Sequence, residues 1–262
     1  MQTESEASVH AARDRRSRIV EIVRQVSTID VQTLGARLAV TQATLRRDLR
    51  LLEAQGSIRR SYGEITAVQT STFETPLTWR SSSETEEKRA VAAAAVASLD
   101  GEASIYIDEG FVPNLIAELL PVDRSLTIVT PSLPVAARLA AGNRHEVLLL
   151  GGRVRGRTLG AVDHWARDML AGFSLDIGFL GANGVTYESG LTTPDPAVAA
   201  IKAMAVRVCR RRVFVGDHTK FGVTSFARFA TVDDIDLFIT GDKLPLAQVR
   251  HFTQGGANLH RV

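Results

Sequence analysis

A chain of 262 residues is long enough for two domains or one large one. Hydrophobic residues make up 45% and charged ones 23%, so a sizeable core can form and global disorder is excluded. No charge-free apolar run approaches the roughly 18 residues of a transmembrane helix, and the polar, acidic stretch Met1–His10 lacks the apolar centre of a signal peptide. Cys209 is the only cysteine, which excludes an internal disulfide and any zinc site built from cysteines; a reducing, cytoplasmic compartment fits. The net charge of +2 is unevenly spread: residues 1–68 hold 11 Arg, no Lys and 8 acids, whereas the rest of the chain is slightly acidic. That excess is a modest pointer to nucleic acid.

Residues 1–15 read as a tail. From Arg16 onward, Ile19, Val20, Ile22, Val23 and Val26 fall on a helical stripe. Asp30 is placed to cap a short helix that turns Val31, Leu34 and Leu38 inward. After a brief turn at Ala39 and Val40, Thr41 is a good N-cap for a third helix, Gln42 to Gln55, with Leu45, Leu49 and Leu52 on one face. Gly56 is a residue suited to ending it. Ser57 to Val68 has the pattern of a two-stranded ribbon turning near Gly63. Residues 14–68 are thus expected to form a winged helix-turn-helix. Residues 69–83, rich in Ser and Thr with Pro76, are the expected linker to a larger domain over 84–262.

That domain opens with Ser83 and Glu86, spaced as a capping box for an alanine-rich helix through Leu99. Short apolar runs then recur at Ala103–Ile107, Leu126–Val129, Val147–Leu150, Ile177–Leu180, Val213–Val215 and Leu237–Ile239. Helical stretches separate them at Asn114–Leu120, Pro134–Ala141, His164–Leu170, Ala197–Arg210 and Leu246–Phe252. Strand–helix alternation predicts an α/β fold with a largely parallel sheet.

The third helix of the first domain carries the chemistry of base recognition. Thr41, Gln42 and Thr44 lie at its first turn, the part that enters the major groove. Arg46, Arg47 and Arg50 follow, and Arg pairs bidentately with guanine as Gln does with adenine. Arg59, Arg60 and Tyr62 lie in the ribbon, where a wing reaches the flanking phosphates. A solvated helix face is the simpler account of an isolated Arg-Arg pair. Cap, preceding helices, polar first turn, basic face and basic ribbon together favour double-stranded DNA as the partner.

These residues also carry a family resemblance. The stretch from Leu34 to Gly63, LGARLAVTQATLRRDLRLLEAQGSIRRSYG, resembles the N-terminal signature of the DeoR family of bacterial transcription regulators, with Thr44-Leu45-Arg46-Arg47-Asp48-Leu49 as its core. The family's usual Gly-Gly at the wing is Gly63-Glu64 here. Further motifs stand in order at Glu87-Lys88, Gly151-Gly152, Asp176 through Gly184, Lys202, and Asp217-His218-Thr219-Lys220-Phe221. The resemblance implies a sensor domain with the fold of ribose-5-phosphate isomerase, a sugar-like and typically phosphorylated effector, repression of sugar or polyol catabolism genes, and a homodimer or homotetramer.

Candidate effector-binding residues follow from the same alternation, because ligands on open α/β sheets bind at the carboxyl ends of strands, together with the motif positions that the resemblance marks. They are Asp108, Glu109 and Gly110 after one strand, Thr130 and Ser132 after the next, Gly151 and Gly152, Asn183 and Gly184, Lys202, Asp217 and Lys220. Lysine is rare, present only as Lys88, Lys202, Lys220 and Lys243, and Lys202 and Lys220 stand at motif positions. Where the family commonly reads Asp-Ser-Gly-Thr-Thr, this chain reads Asp108-Glu109-Gly110-Phe111-Val112, without hydroxyls and with an added carboxylate. The common Thr-Asn is Thr130-Pro131. Several ligands remain open: an unphosphorylated polyol or sugar, a cationic or amino sugar drawn by Glu109, or a phosphosugar anchored elsewhere. A degenerate site, or a Glu109 turned to solvent, competes with all three. Arg153, Arg155 and Arg157 either bind an anion or are solvated.

Asp217 and His218 read as structural, Cys209 as a core thiol in a helix, and Trp79 and Trp165 as packing residues. An enzyme of the isomerase type is the rival class. The run Leu180-Gly181-Ala182-Asn183-Gly184 holds no carboxylate where isomerisation needs one, so no catalytic residue, cofactor or metal ligand set is expected. A purely architectural DNA-binding protein is a third class, disfavoured by the large second domain.

Overall fold

The computed structural model describes residues 12, 14–23, 26, 28–54, 57–61, 63–67, 84–142 and 144–262. The chain divides into two compact units, Met1–Arg80 and Ser81–Val262. Gly56, Tyr62, Trp79, Ser83 and the expected linker lie outside the described residues.

In the first unit, α1 (residues 14–23) buries Ile19, Val20, Ile22 and Val23. Val26, expected on the same stripe, is 38% exposed. Asp30 caps α2 (Val31–Leu38), its carboxylate accepting from the amides of Gln32 at 3.0 Å and Thr33 at 2.9 Å. Ala39 closes α2 in the left-handed region at φ 51°, which makes the tight turn into α3 (Gln42–Ala54). The Thr41 hydroxyl accepts from the Thr44 amide at 3.3 Å, as an N-cap should. The expected ribbon forms from β2 (Ile58–Ser61) and β3 (Glu64–Ala67), with Gly63 at φ 84° in the turn. It is three-stranded, however. β1 (Thr28–Asp30) adds antiparallel to β3, pairing Ile29 with Ile65. The two partners are 36 residues apart in sequence, and local pattern does not report such pairing. Ile29, Leu34, Leu45, Leu49, Ile58 and Ile65 close the small core.

The second unit is built on a seven-stranded parallel sheet, in the order β15-β14-β12-β9-β4-β5-β6. Its strands are β4 (Ser104–Ile107), β5 (Thr127–Thr130), β6 (Glu146–Leu149), β9 (Leu175–Leu180), β12 (Cys209–Val215), β14 (Leu237–Thr240) and β15 (Leu259–Arg261). Six correspond to the apolar runs. The seventh, β15, reads Leu-His-Arg, too short and polar to announce itself. Side-chain alternation splits the core in two. Ile105, Ile107, Ile177, Val213, Val215 and Ile239 face α4 (Thr85–Ala97), α5 (Phe111–Leu119) and α6 (Leu133–Ala141). Tyr106, Phe214 and Phe238 face α7 (His164–Ala171), α8 (Pro196–Val208) and α9 (Leu246–Gln254). The result is a three-layer α/β/α arrangement. A hairpin of β7 (Arg153–Val154) and β8 (Ala161–Val162) precedes α7. A small antiparallel sheet joins β10 (Gly184–Thr186), β11 (Gly190–Thr193) and β13 (Ala227–Ala230).

The expected capping box falls on Ser83, outside the described residues; Glu84 occupies the N-cap of α4 at φ 49° and makes no side-chain cap. Two local expectations are corrected. Cys209 is not helical; α8 ends at Val208 and Cys209 opens β12, its thiol buried and pushed up to about 12 by desolvation. Trp165 does not pack inside, being 69% exposed on α7. Among the described residues no helix is long and apolar enough to cross a membrane.

Candidate nucleic-acid interface and effector site

Helical geometry decides what α3 offers to a partner. Leu45, Asp48, Leu49 and Leu52 point into the unit, which leaves Gln42, Ala43, Arg46, Arg47 and Arg50 exposed on the opposite side. Gln42, Arg46 and Arg50 recur every four residues. They line a groove of about 870 Å³, whose other wall holds Gln32, Arg60 and Gly63. No carboxylate among the described residues pairs with Arg46, Arg47 or Arg50. Thr41 and Thr44 share a 2.9 Å hydroxyl contact and serve as cap residues. Arg60 does not stand free: its Nε donates to Glu53 at 2.8 Å, tying β2 to the end of α3, and Glu53 is held below the usual carboxylate range chiefly by that bond. Arg59 lies in β2, with its side chain outside the described set.

Asp48 carries a role that the sequence reading missed. It is 1% exposed, accepts from Arg15 Nε at 2.5 Å, and has Arg16 Nη1 at 3.7 Å. The acid in the middle of the Arg-rich motif therefore clamps α1 to α3 and fixes the roll of the exposed arginines. Within the motif, only the spacing of Asp48, three residues after Leu45 and four before Leu52, placing it on the buried face, signalled this.

In the second unit the carboxyl ends of β4 and β9 bring two acids and a lysine together. Asp108 follows β4 and accepts from the amides of Glu109 and Gly181, both at 2.9 Å. Lys202, carried in by α8, bonds the Asp108 carboxylate and donates to the Gly181 carbonyl at 3.0 Å. Both side chains are buried, and the Tyr106 hydroxyl lies 3.4 Å from Asp108. Glu109 does not turn to solvent. Its carboxylate accepts from Thr158 Oγ1 at 2.6 Å and Arg155 Nη1 at 3.5 Å. Burial pushes the Glu109 carboxyl up, against the opposing pull of Lys202, Thr158 and Arg155. Arg155 is itself buried and reaches Asp195, the N-cap of α8, at 3.0 Å. Asp195 and Thr158 were missed in the sequence, since nothing local marks them. Arg153 pairs with Asp163 at 2.9 Å on the surface.

Other candidates are taken up by packing. Thr130 Oγ1 accepts from the Ser132 amide at 3.1 Å, and Ser132 caps α6 through the Val135 amide at 3.4 Å; both residues are fully buried. Gly152 sits at φ 133° where a Cβ would come within 2.4 Å of the Val162 carbonyl, so it serves the β7–β8 hairpin. A Cβ on Gly184 would meet the Val223 carbonyl at 2.3 Å. Gly151 is exposed, and Asn183, half-buried, accepts from Thr193 Oγ1 at 3.1 Å.

A second charged cluster lies beyond β12. Asp217 is 1% exposed, with Lys88 at 3.7 Å and Lys220 at 4.0 Å. Lys88 also stands 5.7 Å over the Phe111 ring. Burial raises the Asp217 carboxyl, but Lys220, Lys88 and Thr219 outweigh it and hold the group down to about 2. A depressed carboxylate contributes stability that is full above its unfolded value and is lost as pH falls through its folded one. Asp217→Asn is therefore expected to remove about 2 kcal/mol at neutral pH and to flatten the fall in stability between pH ~4 and ~2, read by urea unfolding across that range. An unchanged acid slope would contradict the assignment. Beside it, His218 Nδ1 meets Glu87 at 2.8 Å and its amide donates to the same carboxylate at 2.7 Å. Glu84, Glu87 and His218 converge within 4.8 Å, but Glu84 is bonded to Lys243 and Glu87 to His218, so they form a hydrogen-bonded network.

Two family descriptions match the chain: a DeoR-like helix-turn-helix domain over residues 15–71 and a DeoR C-terminal sensor domain over residues 83–242. The HTH-type transcriptional regulator GlpR of Haloferax volcanii is 36% identical over 231 residues, covering 88% of this chain and 90% of that one. The glycerol-3-phosphate regulon repressor of Escherichia coli is 29% identical, covering 91% of this chain and 94% of that one. Part of the chain is also similar to ribose 5-phosphate isomerase A from Neisseria gonorrhoeae, at 19% identity and TM-score 0.37 over 52% of this chain and 53% of the other. That likeness is slight and says nothing of activity, whereas the relatives matched along nearly their whole length are named regulators. With a helix-turn-helix in one unit, a parallel α/β sheet in the other and both matched by the family's own domains, the chain belongs to the DeoR family of transcriptional regulators.

Proposed function

We propose that this regulator is a cytoplasmic repressor of carbohydrate or polyol catabolism genes, released from its operator by a sugar-like effector bound at the carboxyl ends of β4 and β9. The observation that carries the reading is the exposed arginine face of α3, paired with no carboxylate among the described residues, beside the groove lined by Gln42, Arg46 and Arg50. Such a face supplies base-edge donors and phosphate contacts together. Relatives named as repressors of a glycerol-3-phosphate regulon support the sign and the gene class. A small hydroxylated ligand suits the sheet ends, because the half-buried Asp195 and Asn183 carry carboxylate and amide oxygens there. The run Leu180-Gly181-Ala182-Asn183-Gly184 offers no carboxylate to move a proton, so the second unit works as a sensor and not as an isomerase. Two copies of the chain would set two reading helices about 34 Å apart, one turn of DNA. Nuclease footprinting on the DNA upstream of its own gene tests this. Protection of repeated half-sites one or more helical turns apart is expected; a single unspaced footprint would contradict the paired arrangement.

A further inference from the structure

We propose that Glu109 sets the effector class: its buried carboxylate excludes dianionic phosphoesters from the sheet-end site, so the effector is an uncharged polyhydroxy compound. The inference rests on the effector-switched reading above and deepens it. Glu109 is built into a niche and is not an incidental surface acid. A Cβ placed on Gly160 would lie 1.7 Å from Glu109 Oε2, so the turn between β7 and β8 gives up a side chain where the carboxylate sits. Thr158 from the same turn donates to it at 2.6 Å, and Arg155 is divided between Glu109 at 3.5 Å and Asp195 at 3.0 Å.

Charge bookkeeping then decides what can enter. Asp108, Glu109 and Asp195 supply three carboxylates, and Lys202 and Arg155 supply two cations already bonded to them. A phosphoester would bring two more negative charges against these three carboxylates, whose two cations are already engaged, at low local dielectric. The start of α5 would normally attract an anion through its open amides. Here Asp108 and Glu109 stand immediately before it, and its first residues are Phe111, Val112 and Pro113, without a hydroxyl among them and with one amide lost to proline. Hydroxyl groups of a neutral polyol suit the same surroundings, because each can donate to a carboxylate without adding charge.

Calorimetry on the full chain tests the proposal, using inorganic phosphate and glycerol 3-phosphate against wild-type, Glu109→Gln and Glu109→Ser. Gln keeps the bond to Thr158 while removing the charge; Ser empties the niche. Wild-type is expected to show no saturable binding of either compound up to about 10 mM, and the variants to bind inorganic phosphate at least about tenfold more tightly. Sub-millimolar binding of glycerol 3-phosphate by wild-type would overturn the proposal, as would the absence of any gain in both variants. Operator binding by wild-type is measured separately, so failure of the repressor reading would show there and not in the calorimetry.

Discussion

Replacing Arg46 and Arg47 together by Ala is expected to weaken operator binding by about 30-fold to 10⁴-fold, since each base-reading or phosphate-clamping arginine is worth about 1–3 kcal/mol. Both side chains are exposed on α3 and are held by no carboxylate among the described residues. Their loss should therefore leave thermal stability within about 0.5 kcal/mol of wild-type. Fluorescence anisotropy on operator DNA gives the first quantity and calorimetric melting the second. Equal operator affinity in variant and wild-type would mean that another surface reads the DNA. The salt dependence adds detail: an arginine on a base edge changes sequence preference, whereas one on a phosphate lowers the slope of affinity against salt.

The second large effect is on the sensor. Lys202→Met should destabilise it by about 3–5 kcal/mol, because removing one partner of a buried ion pair leaves the other charge uncompensated. Lys202 and Asp108 are 4% and 1% exposed, and Lys202 also helps to balance Glu109. For a unit of this size that corresponds to a melting point lower by roughly 6–20 °C. Pairing Lys202→Met with Asp108→Asn should recover a substantial part of the loss, since the stranded charge goes with it. A double variant as unstable as the sum of the two singles would show that the pair is not coupled as the geometry requires.

Much of this arrangement was legible in the sequence, for physical reasons that differ from place to place. The strands of the large sheet announced themselves because a central parallel strand is buried on both faces and reads as a short apolar run, as in Ile177–Leu180 within β9. Helix α3 was legible because Thr41, Leu45, Leu49 and Leu52 fix its start and its buried side. The edge strand Leu259–Arg261 was not, because one exposed edge relaxes the demand for apolar residues. The fate of Glu109 was beyond local reading. Its partners Arg155 and Thr158 lie 46 and 49 residues downstream, on a hairpin that carries no strong pattern of its own. The start of α4 was not legible either: Glu84 holds its N-cap in the left-handed region, a backbone state that local spacing does not report. Asp48 was hidden by its neighbours, since an acid between arginines reads as a surface residue until the helix is rolled against α1.

The measurement that bears most directly on the whole account is release of the wild-type protein from its operator, followed by fluorescence anisotropy while free sugars and polyols are added alongside their phosphorylated counterparts. The account predicts release by an uncharged polyhydroxy compound, with operator affinity falling about 5–150-fold, the range of an ordinary allosteric coupling. Operator affinity unchanged by every compound would contradict a sensor that controls the reading helix.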